Sequence, residues 1–213
     1  MLRYRRRDIA LAIAASALAG YVDAIGFLSL GGFFVSFMSG NSTRLAVGLA
    51  GLPPEALIAG RLIGCFVLGV VVGALLGAAA RRMRRPAVLA LVAGLLAIAA
   101  FLGGIDASVA MLFVAGAMGA ENATFERDGE VSIALTYMTG TLVKLGQRLA
   151  GAIMGGPRTA WVPYLLLWLG LITGAVLGAS VWPMIGLASL WTASAVALAL
   201  AAAAVLIVQS EKG

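Results

Sequence analysis

"SFMSGNSTRLA", residues 36–46, sets Ser, Gly, Asn, Ser, Thr and Arg close together in a chain that is apolar on either side. A second interruption, "LTYMTGTLVKLGQRLA" from Leu135, repeats the order Met, hydroxyl, Gly and again places a cation four residues after the Gly. Polar side chains at membrane depth are costly, and an ionisable one there marks a functional site by default. Two matched interruptions therefore read as two halves of one site.

Membrane depth follows from composition. The chain is 62% hydrophobic and 11% charged, where a soluble domain carries about a quarter charged residues; its mean hydropathy is +1.05. Stretches such as "ALIAGRLIGCFVLGVVVGALLGAAA" (56–80) and "TAWVPYLLLWLGLITGAVLGASVWP" (159–183) exceed the roughly 20 apolar residues that a helix needs to cross a bilayer. Abundant Gly and the lack of two-residue alternation fit helices and not barrel strands.

Cys65 is the single cysteine and histidine is absent, so a disulfide framework or a transition-metal centre finds no support. No metal, cofactor or enzymatic activity is expected: no P-loop, His or Cys dyad or metal cluster appears, and Asp23 with Glu121 alone makes a weak case for acid-base chemistry. The net charge of +6 resides largely in "RYRRR" (3–7) and "RRMRR" (81–85). These are topology signals at membrane edges and not a nucleic-acid surface. The N-terminal run "MLRYRRRDIALAIAASALAG" has the shape of a secretory signal. It reads instead as an uncleaved first span, because the polar pattern that opens at Asp23 recurs deep in the chain.

Sliding the chain by about 100 positions tests for a duplication. "GYVDA" at Gly20 meets "GAENA" at Gly119; "FMSGNSTRLA" at Phe37 meets "YMTGTLVKLG" at Tyr137; "LGVVVGALLGA" at Leu68 meets "LGLITGAVLGA" at Leu169. The offsets of 99, 100 and 101 are those of a duplication with two small insertions. Four full spans per half would give parallel repeats and three would give inverted ones. The arginines decide: Arg3, Arg5, Arg6 and Arg7 and then Arg81, Arg82, Arg84 and Arg85 belong on one side of the membrane, so an even number of crossings separates them. Eight full spans would break that rule.

The expected fold is thus an all-α integral membrane protein of two inverted repeats, each of three transmembrane helices with a broken re-entrant segment. Residues 1–104 hold spans near 8–28, 55–80 and 86–104 with the re-entrant segment at 33–51; residues 105–213 hold spans near 107–125, 158–180 and 184–208 with the re-entrant segment at 131–152. Residues 104–106 and "SVWP" (180–183) then lie outside, and "ERDGE" (126–130), "GGPR" (155–158) and "SEKG" (210–213) inside. Both termini are cytoplasmic.

In each broken segment Gly40 or Gly140 is expected to allow the turn, and Asn41, Ser42, Thr43 and Thr141 to cap the helix that follows. A half-helix aims its N-terminal amides, about half a positive charge, at the membrane interior. Arg44 lies one turn in, and Lys144 is its equivalent. The expected substrate-binding set is Ser39, Gly40, Asn41, Thr43 and Arg44 with Thr139, Gly140, Thr141 and Lys144, an anion site in physical terms. Asp23, roughly 20 Å along its helix, together with Glu121 and Asn122, supplies counter-ions or proton carriers. Arg61 snorkels and Arg148 lies near an edge. Gly69, Gly73 and Gly77 and again Gly170, Gly174 and Gly178 form packing stripes, for each other or for a second subunit in a homo-oligomer. Trp161, Trp168, Trp182 and Trp191 mostly serve as interfacial anchors.

"GYVDAIGFLSLGGFFVSFMSGNSTRLA", "GAENATF" and "YMTGTLVKLGQRL" together resemble the YoaK-like family of bacterial inner-membrane proteins, a domain of unknown function. The resemblance spans essentially the whole chain and implies a bacterial cytoplasmic membrane, but no substrate. The partners expected are the lipid bilayer and a small molecule, with no nucleic acid. The leading reading is a transporter or permease for a small anion. Its alternatives are an exporter of a cation or amine bound by Asp23 and Glu121, and a non-transporting membrane scaffold.

Overall fold

The computed structural model describes residues 6–51, 53–127, 130–131 and 135–210. Arg3, Arg5, Asp128, Gly129 and the terminal Glu211, Lys212 and Gly213 lie outside these, as does part of the expected segment 131–152. Eight α-helices are described: α1 (Arg6–Ser29), α2 (Met38–Gly51), α3 (Pro53–Ala80), α4 (Arg84–Leu102), α5 (Ala107–Glu121), α6 (Met138–Ile153), α7 (Val162–Ile185) and α8 (Ser189–Gln209). Glu126–Arg127 pairs antiparallel with Glu130–Val131 in a two-residue ladder.

Three continuous helical tracts, Arg6–Ser29, Pro53–Leu102 and Val162–Gln209, are long and apolar enough to cross a membrane. Drawn straight, the 50-residue tract would be about 75 Å long at about 1.5 Å per residue. It folds back instead at Arg81–Met83, where Arg81 takes the left-handed φ of +48°. The third tract turns at Gly186, with φ of +51°, whose N–H caps the Trp182 carbonyl. This turn lies beyond the expected "SVWP" because Pro183, close to the helix end, is tolerated inside α7. Between these tracts α5 begins at Asp106, whose carboxylate accepts from Ser108 and Val109 N–H at 2.9 and 3.1 Å, a side-chain N-cap.

Two glycine seams organise the bundle. Along α7, a Cβ placed on Gly170, Gly174 or Gly178 would meet the carbonyl oxygens of Ile13, Ala17 and Tyr21 in turn, at 2.9, 1.8 and 2.4 Å. Along α3, one on Gly69 or Gly73 would meet those of Gly116 and Ala120, at 2.0 and 2.8 Å. Residue numbers rise together across each seam, so α1 runs parallel to α7 and α5 parallel to α3. Such backbone approach, driven by packing since lipid is as apolar as Leu, is the association mode of membrane helices. Both stripes are thereby occupied within the chain. The remaining core is small and apolar, with Ala19, Val22, Ile25, Leu96, Met111 and Met118 buried between the helices.

Ion pairs fix which helix ends belong together. Asp8, buried at the start of α1, accepts from Arg85 Nη1 at the start of α4; Arg84 pairs with Glu126 at 2.8 Å; Arg7 donates to Ser210 at 2.9 Å. The described end of the first basic cluster, Arg6 and Arg7, therefore lies at the same end of the molecule as Arg84 and Arg85, and Val162 starts α7 at that same end by the register with α1. Ser29, Gly51 and Pro53 lie at the other end.

After α1 the chain folds back along it. Gly31 and Gly32 take φ of +63° and +100°, Gly32 N–H donates to Phe27 O at 2.8 Å, and Val35 packs its side chain onto Gly26. From there α2 returns along α3. The turn thus belongs to Gly31 and Gly32. Gly40 has no positive φ and sits inside α2, where an added Cβ would lie 2.9 and 2.7 Å from atoms of the Phe34 and Phe37 rings.

Candidate functional site

The two interruptions meet. Residues Ser36 to Ser39 of the first and Thr136 to Gly140 of the second, with Phe66 of α3, line a cavity of about 140 Å³. From it α2 leads toward the end that carries Ser29 and Pro53, and α6 toward the end that carries Arg6 and Val162.

Polar side chains on α1 and just beyond the end of α5 hold both irregular segments. Asp23 Oδ1 accepts from Val35 and Ser36 N–H at 2.9 and 2.8 Å. Its aligned residue Asn122 accepts at Oδ1 from the Thr136 hydroxyl at 3.0 Å and donates from Nδ2 to Met118 O at 2.9 Å. Ser16 donates to the carbonyls of Leu135 and Leu167 at 3.3 and 3.1 Å. Asn41 does not cap α2; its amide accepts from Phe34 N–H at 3.0 Å and donates to Phe34 O at 2.6 Å.

The hydroxyls expected to cap point the other way. Ser42, Thr43 and Thr141 donate to carbonyls four residues back, those of Met38, Ser39 and Tyr137, as hydroxyls inside a helix do. Backbone groups partly fill the role. Met38 N–H donates to Ser36 O and Gly40 N–H to Phe37 O, each at 3.1 Å, and Thr141 N–H to Tyr137 O at 3.1 Å. Among the described residues the N–H groups of Ser39, Thr139 and Gly140 have no backbone acceptor, as expected of first-turn donors, and all three residues belong to the cavity wall.

Arg44 and Lys144 do not line the cavity. Arg44 turns to the outer rim, 4.6 Å above the Phe33 ring, 4.0 Å from Glu55 and against Gly32. Lys144 is exposed on α6. Along the helix each lies about 9 Å from the first residue of its segment, at 1.5 Å per residue, and on opposite sides of the cavity.

Sequence reasoning passed over Phe66, the hydroxyls of Ser36 and Thr136, and Thr124. Ser36 and Thr136 aligned at the repeat offset of 100 and were legible as a pair; Phe66 carried no signal. Glu121 is fully buried with neither carboxyl oxygen hydrogen-bonded among the described residues, and Thr124 Oγ1, one turn on, is likewise unpartnered. Among the described residues no group of three His, Cys, Asp or Glu is placed to hold a metal.

Long apolar tracts, helix-on-helix packing through glycine and a buried polar centre define an α-helical membrane protein. The chain belongs to the family described as "Protein of unknown function (DUF1275)", whose model matches residues 11–203. It is 39% identical over 207 residues to a UPF0700 transmembrane protein of Rhizobium meliloti (strain 1021), covering 96% of this chain and 90% of that one. No solved structure matches the chain. The YoaK-like resemblance agrees with this membership.

Proposed function

We propose that the protein is a permease for a small anion, bound in the cavity between the starts of α2 and α6. One observation carries the reading: two helix starts face a common cavity of about 140 Å³ and their helices leave it toward opposite ends of the molecule. Helix N-termini with orphan amides attract anions, and paired half-helices at the midplane of inverted repeats are the arrangement used by many transporters. On this reading α2 and α6 are re-entrant half-helices, α1, α3, α4, α5, α7 and α8 are the six spans, and the meeting of Asp8 with Arg85 supports placing both basic clusters in the cytoplasm of a bacterial inner membrane. The termini are then cytoplasmic. Arg44 and Lys144 stand along the two routes to the cavity and draw the anion toward Ser39, Thr139 and Gly140. Gly40, Asn41, Thr43 and Thr141 shape the two starts. The reading assigns no catalysis and no cofactor.

A second reading, export of a cation or amine, is favoured by Glu121, whose two oxygens lack partners among the described residues. Proteoliposomes loaded with a panel of carboxylates and inorganic oxyanions, and in parallel with ammonium compounds, separate the two. Anion flux that falls at least tenfold in Arg44→Gln supports the permease. Amine flux lost in Glu121→Gln with no anion flux replaces it, and no flux of either class returns the protein to a scaffold role.

A further inference from the structure

The two glycine seams differ in register by one helical turn. Aligned at the repeat offsets of 99 and 101, Ile13, Ala17 and Tyr21 correspond to Leu112, Gly116 and Ala120, and Gly170, Gly174 and Gly178 to Gly69, Gly73 and Gly77. Equal halves would therefore place Gly73 on Gly116 and Gly77 on Ala120. Instead Gly69 lies on Gly116 and Gly73 on Ala120. The reverse contact agrees: a Cβ on Gly20 would meet Leu171 O at 2.0 Å, and one on Gly119 would meet Phe66 O at 2.0 Å, where Val70 is the aligned residue. Every pair is displaced by four residues in the same direction, about 5.4 Å along the helix.

Other differences run the same way. In the first half α2 is seated on α3, with Gly48 so close that a Cβ would lie 2.5 Å from Ala56 N, and Arg44 is latched toward Glu55. In the second half Arg148 replaces that glycine, Gly146 and Gly151 face open space, and Lys144 is exposed. Finally, the atoms nearest a Cβ on Gly77 belong to the flexible Arg84 side chain, at 3.1 Å and beyond, while its counterpart Gly178 is held against the Tyr21 backbone.

We propose that this structure is one end state of an exchange in which the two seams swap registers. In the other state Gly73 lies on Gly116 and Gly77 on Ala120, while Gly170 lies on Ala17 and Gly174 on Tyr21. Packed helices move between discrete registers, not continuously, and one-turn steps are a known form of such switching. Gly77 is covered here by the Arg84 side chain, which can move aside as the second state brings Ala120 onto it. The proposal rests on the inverted-repeat reading above; solute flux plays no part in its test.

Double electron–electron resonance on the full chain in lipid nanodiscs, with Cys65 replaced by Ser, measures both seams. Spin labels at Leu75 and Ala107 report α3 against α5; labels at Ala10 and Met184 report α1 against α7. The expected result is two populations at each pair, separated by about one turn or 5 Å, the first distance shortening as the second lengthens. Gly77→Ala should leave only the population of the structure described here. Gly64→Ala, on α3 with nothing within 4 Å, should leave both. A single distance, the same in the unsubstituted glycine background and in Gly77→Ala, overturns the exchange. Two populations in a protein that moves no solute would retain the exchange and remove the permease reading.

Discussion

Asp23 holds the backbone N–H of Ser36 at 2.8 Å and that of Val35 at 2.9 Å, so one carboxylate oxygen fixes the chain where it turns into α2. An amide oxygen can accept the same two bonds; in the other half the amide oxygen of Asn122 accepts a single one, from the Thr136 hydroxyl. Asp23→Asn should therefore keep the thermal midpoint of the detergent-purified protein within a few degrees. Asp23→Ala leaves two N–H groups without an acceptor, at about 1–3 kcal/mol each, and should lower it markedly. If Asn and Ala behave alike, the carboxylate does not hold the segment.

Glu121 differs, since its oxygens have no hydrogen-bond partner among the described residues. With both buried and unpartnered, the residue has the mark of a group retained for function at the expense of stability. Glu121→Met, apolar and of similar length, should stabilise the protein by about 1–2 kcal/mol, the order of the penalty for a buried polar group without a partner. On the amine-export reading the same variant should lose amine movement in proteoliposomes. A stabilised variant with unchanged flux would show that the carboxyl has no part in transport.

The basic pair gives the opposite pattern. Arg44 and Glu55 are 4.0 Å apart with side chains 35% and 41% exposed, and exposed pairs of this kind contribute at most about 1 kcal/mol. Arg44→Gln and Lys144→Gln should thus unfold at nearly the temperature of the parent while weakening ion-induced thermal stabilisation. A bound anion at 100 times its dissociation constant adds about 2.7 kcal/mol, so the loss is readable as a missing shift. Equal shifts in parent and variants would exclude both cations from binding.

How far the site was legible follows from these residues. Met38 and Ser39 of the first Met, hydroxyl, Gly block and Met138, Thr139 and Gly140 of the second line one cavity, and the polarity that marks both blocks is displayed by sequence alone. The partners of Arg44 were hidden: Glu55 lies beyond a helix end and a chain reversal, and an ion pair across such a bend leaves no periodicity. Gly31 and Gly32 were passed over for Gly40 because composition shows where glycine occurs and not which glycine takes a positive φ. Helix existence was readable throughout, since long apolar runs at this density have no other solution in lipid. The ends of α2 and α6 were less so; their first turns are set by Asp23, Ser16 and Asn122 from other helices.

Glycine substitutions then separate packing from passage. At Gly174 a Cβ would lie 1.8 Å from Ala17 O, backbone against backbone, so Gly174→Ala must part α1 from α7 and should sharply reduce the yield of folded protein. At Gly140 nothing lies within 4 Å of the added atom, and Ala is favoured over Gly in a helix by about 1 kcal/mol. Gly140→Ala should consequently melt at or above the parent's temperature. Its methyl is nonetheless added at the wall of a cavity of only about 140 Å³, beside an orphan amide. Flux or ligand-induced stabilisation should fall several-fold, most for the largest anion bound. If Gly140→Ala transports every solute at the parent's rate, the path does not pass between the two helix starts.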